Sequence, residues 1–177
     1  MKQEHINEIK AIVVLALGMI LLASLVSFVP EDLSWYTSSP NIPPKDLIKV
    51  IGAYTAGTLF FVFGYSAYFL VSFLFFWSWN KFSSREIGFS IAKLFSFIIL
   101  LSVISSLFGI SGTQDATARF TRAGFIGFLT SDFLLNYLGK TGSYIVLLTL
   151  GALALILTGE FLITPLIMRC VEGAQNI

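Results

Sequence analysis

The sequence predicts an all-α membrane protein: four transmembrane helices in two parallel repeats, each repeat with a short interfacial helix on the side opposite both termini. Three observations carry this reading. Of 177 residues, 56% are hydrophobic and 12% are charged, with mean hydropathy +0.85. A soluble domain carries about 25% charged residues and needs them to cover its surface. Apolar runs recur at the roughly 20 residues that cross about 30 Å of hydrocarbon. The pattern I-G-x-x-T-[A/S]-x-x-L also occurs twice, at an offset of 75.

Composition also removes several functions. Net charge is +1, from 11 basic and 10 acidic residues, with no basic stripe for nucleic acid. A single cysteine, Cys170, forms no intrachain disulfide and is too few for a zinc cluster. The one histidine, His5, lies outside the apolar runs, which removes bis-histidine haem ligation and most acid–base chemistry. No cofactor, no metal and no catalytic residue is expected.

The first span runs from Ala11 to Val29, free of charge and preceded by Lys2 and Lys10. It exceeds the ~7–15 apolar residues of a secretory signal, and Leu25-Val26-Ser27 makes a poor cleavage site, so it is retained. Pro30 to Asp46 holds four of the five prolines and reads as a loop outside the hydrocarbon, with Trp35 and Tyr36 suited to the interface. Leu47 to Trp79 is too long for one span and too short for two. It divides into a surface helix over 49–63 and a span over 64–79, anchored by Trp77, Trp79, Lys81 and Arg85.

The third span covers 93–110, entered through small residues four apart (Gly88, Ala92, Ser96) that let helices approach closely. Gly109 to Arg122 reads as a polar loop. A second surface helix follows over 123–139, with Asp132, Asn136 and Lys140 on one side and Phe125, Leu129, Phe133 and Tyr137 among the residues opposite. The fourth span, 143–164, ends at Pro165 with Arg169 beyond. Residues 1–177 thus read as one membrane domain.

The two surface helices align. Ile51-Gly52-Ala53-Tyr54-Thr55 matches Ile126-Gly127-Phe128-Leu129-Thr130, Gly64 matches Gly139 at the same offset, and Tyr68 matches Tyr144 after one insertion. The repeat motif is therefore Gly52, Thr55 and Gly64 in one half, and Gly127, Thr130 and Gly139 in the other. Two spans per half return the chain to its starting side, which relates the halves by an axis along the membrane normal. Lys and Arg number six on the side of both termini and five on the other, so the positive-inside rule favours cytoplasmic termini narrowly.

With this layout in view, the stretch Ile51-Gly52-Ala53-Tyr54 through Phe63-Gly64-Tyr65-Ser66-Ala67-Tyr68 resembles the second-span region of the FtsK/SpoIIIE-type DNA translocases. Gly124-Phe125-Ile126-Gly127-Phe128-Leu129 through Leu138-Gly139 and Gly142-Ser143, leading to Thr158-Gly159, resembles the approach to the fourth span and its end. The likeness runs from Glu8 to Pro165. It implies an anchor in the bacterial inner membrane at the division septum, partnered by the lipid bilayer and septum proteins. It also implies assembly as a hexamer, and contact with DNA and ATP only through a C-terminal motor that these residues lack. No G-x-x-x-x-G-K-[S/T] phosphate loop occurs in the sequence, so the chain is expected to be non-catalytic.

Two features admit another function. Glu160, near the end of the fourth span, is a costly carboxylate of the kind that lines ion paths, which makes a small transporter or channel subunit the alternative; at a span end it can instead meet water, Lys81 or Arg85. Asp132, Asn136 and Lys140 form a possible partner surface. Lys93 can snorkel to the interface, and the phenylalanines of 60–76 read as packing and lipid-facing surface.

Overall fold

The structure, a computed structural model, describes residues 3–82, 91–111 and 115–162; the side chains at 3–4, 92–93 and 159–162 fall outside that description. All regular elements among the described residues are helical. They are α1 (Gln3–Val26), α2 (Lys49–Phe63), α3 (Ala67–Phe82), α4 (Ile91–Ile110) and α5 (Ala116–Leu162), with 3₁₀ turns at Pro30–Asp32 and Gly64–Ser66. Three stretches are long and apolar enough to cross a bilayer: His5–Val26, Lys49–Phe82 through its turn, and Ala116–Thr158 through its kinks. Another apolar helical stretch, Leu94–Ile110, is shorter.

The packing is inverted relative to a soluble protein. Ser24, Ser66, Ser105, Ser106, Ser131 and Ser143 are fully buried, whereas Met19, Leu148, Leu153 and Ile156 are exposed. Hydrocarbon is as apolar as leucine, so lipid exposes large side chains without penalty while small residues let helix backbones close up. The serine hydroxyls stay satisfied by donating to carbonyls, as Ser106 Oγ does to Ser102 O at 2.7 Å. This is the interior of an all-α membrane protein.

Each half has its own core. α1 and α3 run antiparallel, tied by Tyr68 Oη donating to Leu25 O (3.1 Å) near one end and Ser78 Oγ donating to Ala11 O (2.8 Å) near the other. Around Leu25, Ala56, Ala67 and Val71 gather Leu59, Phe60 and Tyr68. In the second half, Val103, Ile110, Leu134 and Leu147 gather Leu135 and Tyr144. Leu59 and Phe60 stand 75 positions before Leu134 and Leu135, while Tyr68 and Val71 stand 76 before Tyr144 and Leu147, so the two clusters use equivalent positions of the repeat. α3 and α4 touch little beyond the stacked rings of Phe73 and Phe97, 3.9 Å apart, and an apolar cleft of about 290 Å³ opens beside them.

The loop over 30–46 is held by carboxylates. Asp32 Oδ1 accepts from Asn41 Nδ2 (2.8 Å) and Oδ2 from the Asp46 N–H (2.9 Å). Asp46 Oδ1 in turn accepts from the Ile48 N–H at 2.7 Å, closing a turn ahead of α2. The expected loop over 109–122 is corrected. α4 continues to Ile110 and a helix resumes at Ala116, started by Asp115 Oδ2 accepting from the Ala118 N–H at 3.0 Å. The polar character of 115–122 marks a helix outside the core rather than irregular chain. α1 likewise begins eight residues before the apolar run, because polar Gln3–Lys10 extends the helix beyond the hydrophobic stretch.

Candidate functional site: the junction between the repeats

The halves meet where the turn after α2 crosses the start of the second surface helix. α5 is broken by two non-helical glycines, Gly124 (φ 64°, ψ −176°) and Gly139 (φ 64°, ψ −179°). Gly64 ends α2 with φ 57°, and Lys49 opens it with φ 58°. Left-handed positions therefore bound both surface helices, the pairs 49/124 and 64/139 each separated by the repeat offset. The backbone bends at the same places in both halves.

At the crossing, two of these bends touch. A Cβ on Gly64 would stand 2.5 Å from Gly124 N and closer still to Arg122 O; a Cβ on Gly124 would collide with Gly64 N. Only glycine permits a backbone-to-backbone approach of this kind, and only glycine adopts the conformation without strain. Ser105 Oγ sits over the crossing and faces two carbonyls, Phe63 O at 3.2 Å and Ala123 O. One hydroxyl thus ties α4 to the last residue of α2 and the bend of α5. Ser105→Ala should leave Ala123 O short of that donor, while Phe63 O keeps Ser66 Oγ at 2.6 Å, and cost about 1–2 kcal/mol, read as a lower melting temperature in detergent.

Three of the repeat glycines, Gly52, Gly64 and Gly127, lie at close contacts. Gly52 packs against Ser24 and Asp46, and Gly127 against Ser105; a Cβ at either would collide. Thr55 Oγ1 donates to Ile51 O at 2.9 Å, and Thr130 Oγ1 to Ile126 O at 2.8 Å, the same internal bond in both halves. Gly139 differs from Gly64, because nothing lies within 4 Å of its Cβ position.

The strip Asp132, Asn136 and Lys140 is partly engaged within the chain. Asp132 Oδ1 lies 3.5 Å from Arg119 Nη1, and Asn136 Nδ2 donates to Asp132 Oδ2 at 3.1 Å, while Lys140 is exposed. Arg119 also donates to Gly109 O (3.0 Å) and Ser131 Oγ (3.3 Å) and lies over the Phe128 ring, which locks the α4–α5 connection. The side chains of Glu160 and Lys93, and the residues Arg85 and Cys170, fall outside what the structure describes. An aromatic groove of about 530 Å³, lined by Trp35, Tyr36, Thr58, Phe61 and Phe120, opens between the two halves. Among the described residues no cluster of metal-ligating side chains forms. In the sequence Gly124 stands out only within the family likeness, and nothing marks Ser105 or Arg119 as a tie between helices. Gly124 aligns with Lys49, so residue identity hides the shared bend, and Ser105 answers to Ser24 at an offset of 81, not 75.

The family described as the 4TM region of DNA translocase FtsK/SpoIIIE matches residues 3–171. The chain belongs to that family. Curated relatives include the DNA translocase FtsK of Rickettsia prowazekii (strain Madrid E), 24% identical over 155 residues, covering 88% of this chain and 20% of that protein. The DNA translocase FtsK of Rickettsia typhi is 25% identical over 161 residues, covering 89% and 21%. That of Shewanella oneidensis is 28% identical over 155 residues, covering 84% and 17%. The chain therefore spans about a fifth of the length of the relatives it matches. No solved structure matches it.

Proposed function

We propose that this chain is the membrane anchor and septum-localising domain of a DNA translocase acting in cell division and chromosome segregation, and that it is non-catalytic by itself. The family match across residues 3–171 carries the reading. The inverted packing supports it: buried serines and exposed leucines suit a body held in lipid, and no phosphate loop stands in the sequence to bind a nucleotide. In this reading both termini face the cytoplasm of a bacterial inner membrane, the four spans correspond to α1, α3, α4 and the last segment of α5, and α2 and residues 125–138 lie at the periplasmic interface. Division proteins meet the exposed strip around Asn136 and Lys140. DNA and ATP are handled by a motor joined to this domain, and the anchor raises that motor's local concentration at the septum and favours its self-association as a hexamer.

A tagged chain is expected to concentrate at midcell in dividing cells. Fluorescence spread evenly around the envelope, with the protein intact and membrane-bound, would overturn the targeting role.

A further inference from the structure

The halves close tightly at the Gly64–Gly124 crossing and only loosely along α3 and α4. Beside the stacked rings of Phe73 and Phe97, the apolar cleft of about 290 Å³ is walled by Phe69, Phe76 and Ile104 and reaches Leu101, which is 2% exposed. It is a recess into the fold, unlike the outward-facing side chains that lipid simply surrounds. The one polar side chain among the described residues lining it, Ser72, already donates Oγ to Tyr68 O at 3.0 Å. Water in such a place needs two to four polar partners, and an empty recess forfeits the dispersion contacts of its walls. The lining therefore suits hydrocarbon.

Cations stand beyond one end of the cleft. α3 carries Phe69, Phe73, Trp77 and Lys81 at intervals of four, a row along one side of the helix, and α4 carries Lys93, Phe97 and Leu101 at the same interval. Ser105 meets Phe63 while Phe97 meets Phe73, so the two helices run in opposite directions. Both rows consequently reach a lysine where α3 ends and α4 begins. This is the side on which α1 starts, since Ser78 donates to Ala11 O there. Lys81 lies five residues past Phe76, roughly 8 Å along the axis, beside the exposed Trp79, as at a membrane interface. Among the described residues no carboxylate pairs with Lys81. Its long stem carries the ammonium to headgroup level while the row behind it stays in hydrocarbon.

We propose that the α3–α4 cleft holds one acyl chain of an anionic phospholipid, from the leaflet on the side where α1 begins, with its phosphate at the helix ends that carry Lys81 and Lys93. The apolar slot and the cations complement the two ends of that one molecule. A neutral lipid fills the slot equally well but gains little from the lysines, whereas an anionic headgroup gains from each cation near the surface. The bound chain also bridges the halves where their own contact is thinnest.

The test uses the full chain in detergent, titrated separately with dioleoylphosphatidylglycerol and dioleoylphosphatidylcholine, with bound lipid counted by native mass spectrometry. One phosphatidylglycerol per chain should be retained under activation that strips phosphatidylcholine, with an affinity several-fold higher. Lys81→Ala should lower that affinity several-fold and leave phosphatidylcholine unchanged, and the double variant with Lys93→Ala should abolish the preference; Lys81→Arg should keep it. Ile104→Trp, which fills the slot, should weaken retention of both lipids. Three results overturn the proposal: equal retention of the two lipids by the wild type, a phosphatidylglycerol affinity that the lysine substitutions leave unchanged, or a first lipid held equally well by a helical, monodisperse Ile104→Trp chain. The lysine variants lie outside the core and decide the matter even where the tryptophan does not fold. Midcell targeting that fails while lipid retention holds would sink the anchor reading and leave this one standing.

Discussion

Gly64→Ala is expected to disrupt the junction between the repeats, lowering stability by more than about 4 kcal/mol, whereas Gly139→Ala costs about 1–3 kcal/mol. The two glycines share the bend, φ 57° and φ 64°, so a side chain at either incurs the strain of a conformation that L-residues avoid. They differ in surroundings. At Gly64 the new methyl meets Arg122 O and Gly124 N, backbone atoms that cannot rotate away; at Gly139 it meets open space. Relief at Gly64 requires the first half to separate from the second, which would also pull Phe63 O from Ser105 Oγ and part the Phe61–Phe125 stack. For a chain of this size 1 kcal/mol moves the melting temperature by about 2–4 °C. Size-exclusion of heated, detergent-solubilised protein should therefore show a loss above about 10 °C for Gly64→Ala and a few degrees for Gly139→Ala. Equal shifts would show that the strain, and not the crossing, sets the cost.

Much of this architecture was legible because lipid imposes simple rules. Apolar runs with charges at their ends gave the helices, and Gly64, expected to divide 47–79, is where α2 ends, at Phe63. Thr55 and Thr130 of the aligned motif each donate to the carbonyl four residues back, as Thr58 and Thr149 outside it also do, because a helical threonine reaches its own preceding turn. What stayed hidden depends on contacts between distant segments. Nothing in the residues around 105 separates the serine that spans the crossing from Ser102, whose hydroxyl stays within its own helix. The bend at Lys49 has no glycine to announce it. The polar run 115–122 reads as a loop because polarity in a membrane chain suggests exit from the bilayer, yet Asp115 can start a helix there as readily as elsewhere. The partner strip at Asp132 illustrates the same limit: spacing places Asp132 and Asn136 on one face, but only the fold brings Arg119 to Asp132.

Asp32→Ala should loosen the 30–46 loop and cost about 3 kcal/mol near neutral pH, because it strands donors that a buried carboxylate now accepts. Asp32 is 4% exposed. Burial alone would push its carboxyl above the ordinary value of 3.8, but the Lys45 N–H, the Asn41 amide, the Asp46 N–H and the Lys45 ammonium together hold it below. A carboxylate held low in the folded state adds stability that is complete above its unfolded value and fades as pH falls through the folded one. The stabilisation should therefore be full at pH 7 and decline below about pH 4. Wild type and Asp32→Ala should differ in melting temperature by several degrees at pH 7, and the gap should narrow as the medium is acidified, since protonation removes from the wild type what the substitution has already removed. Because Asp46 receives its position from Asp32 and holds the Ile48 N–H ahead of α2, the variant should also expose Leu47–Ile51 to faster amide exchange. A gap that stays constant between pH 7 and pH 3 would mean that Asp32 acts through packing alone, and the carboxylate network would lose its role in seating the first surface helix.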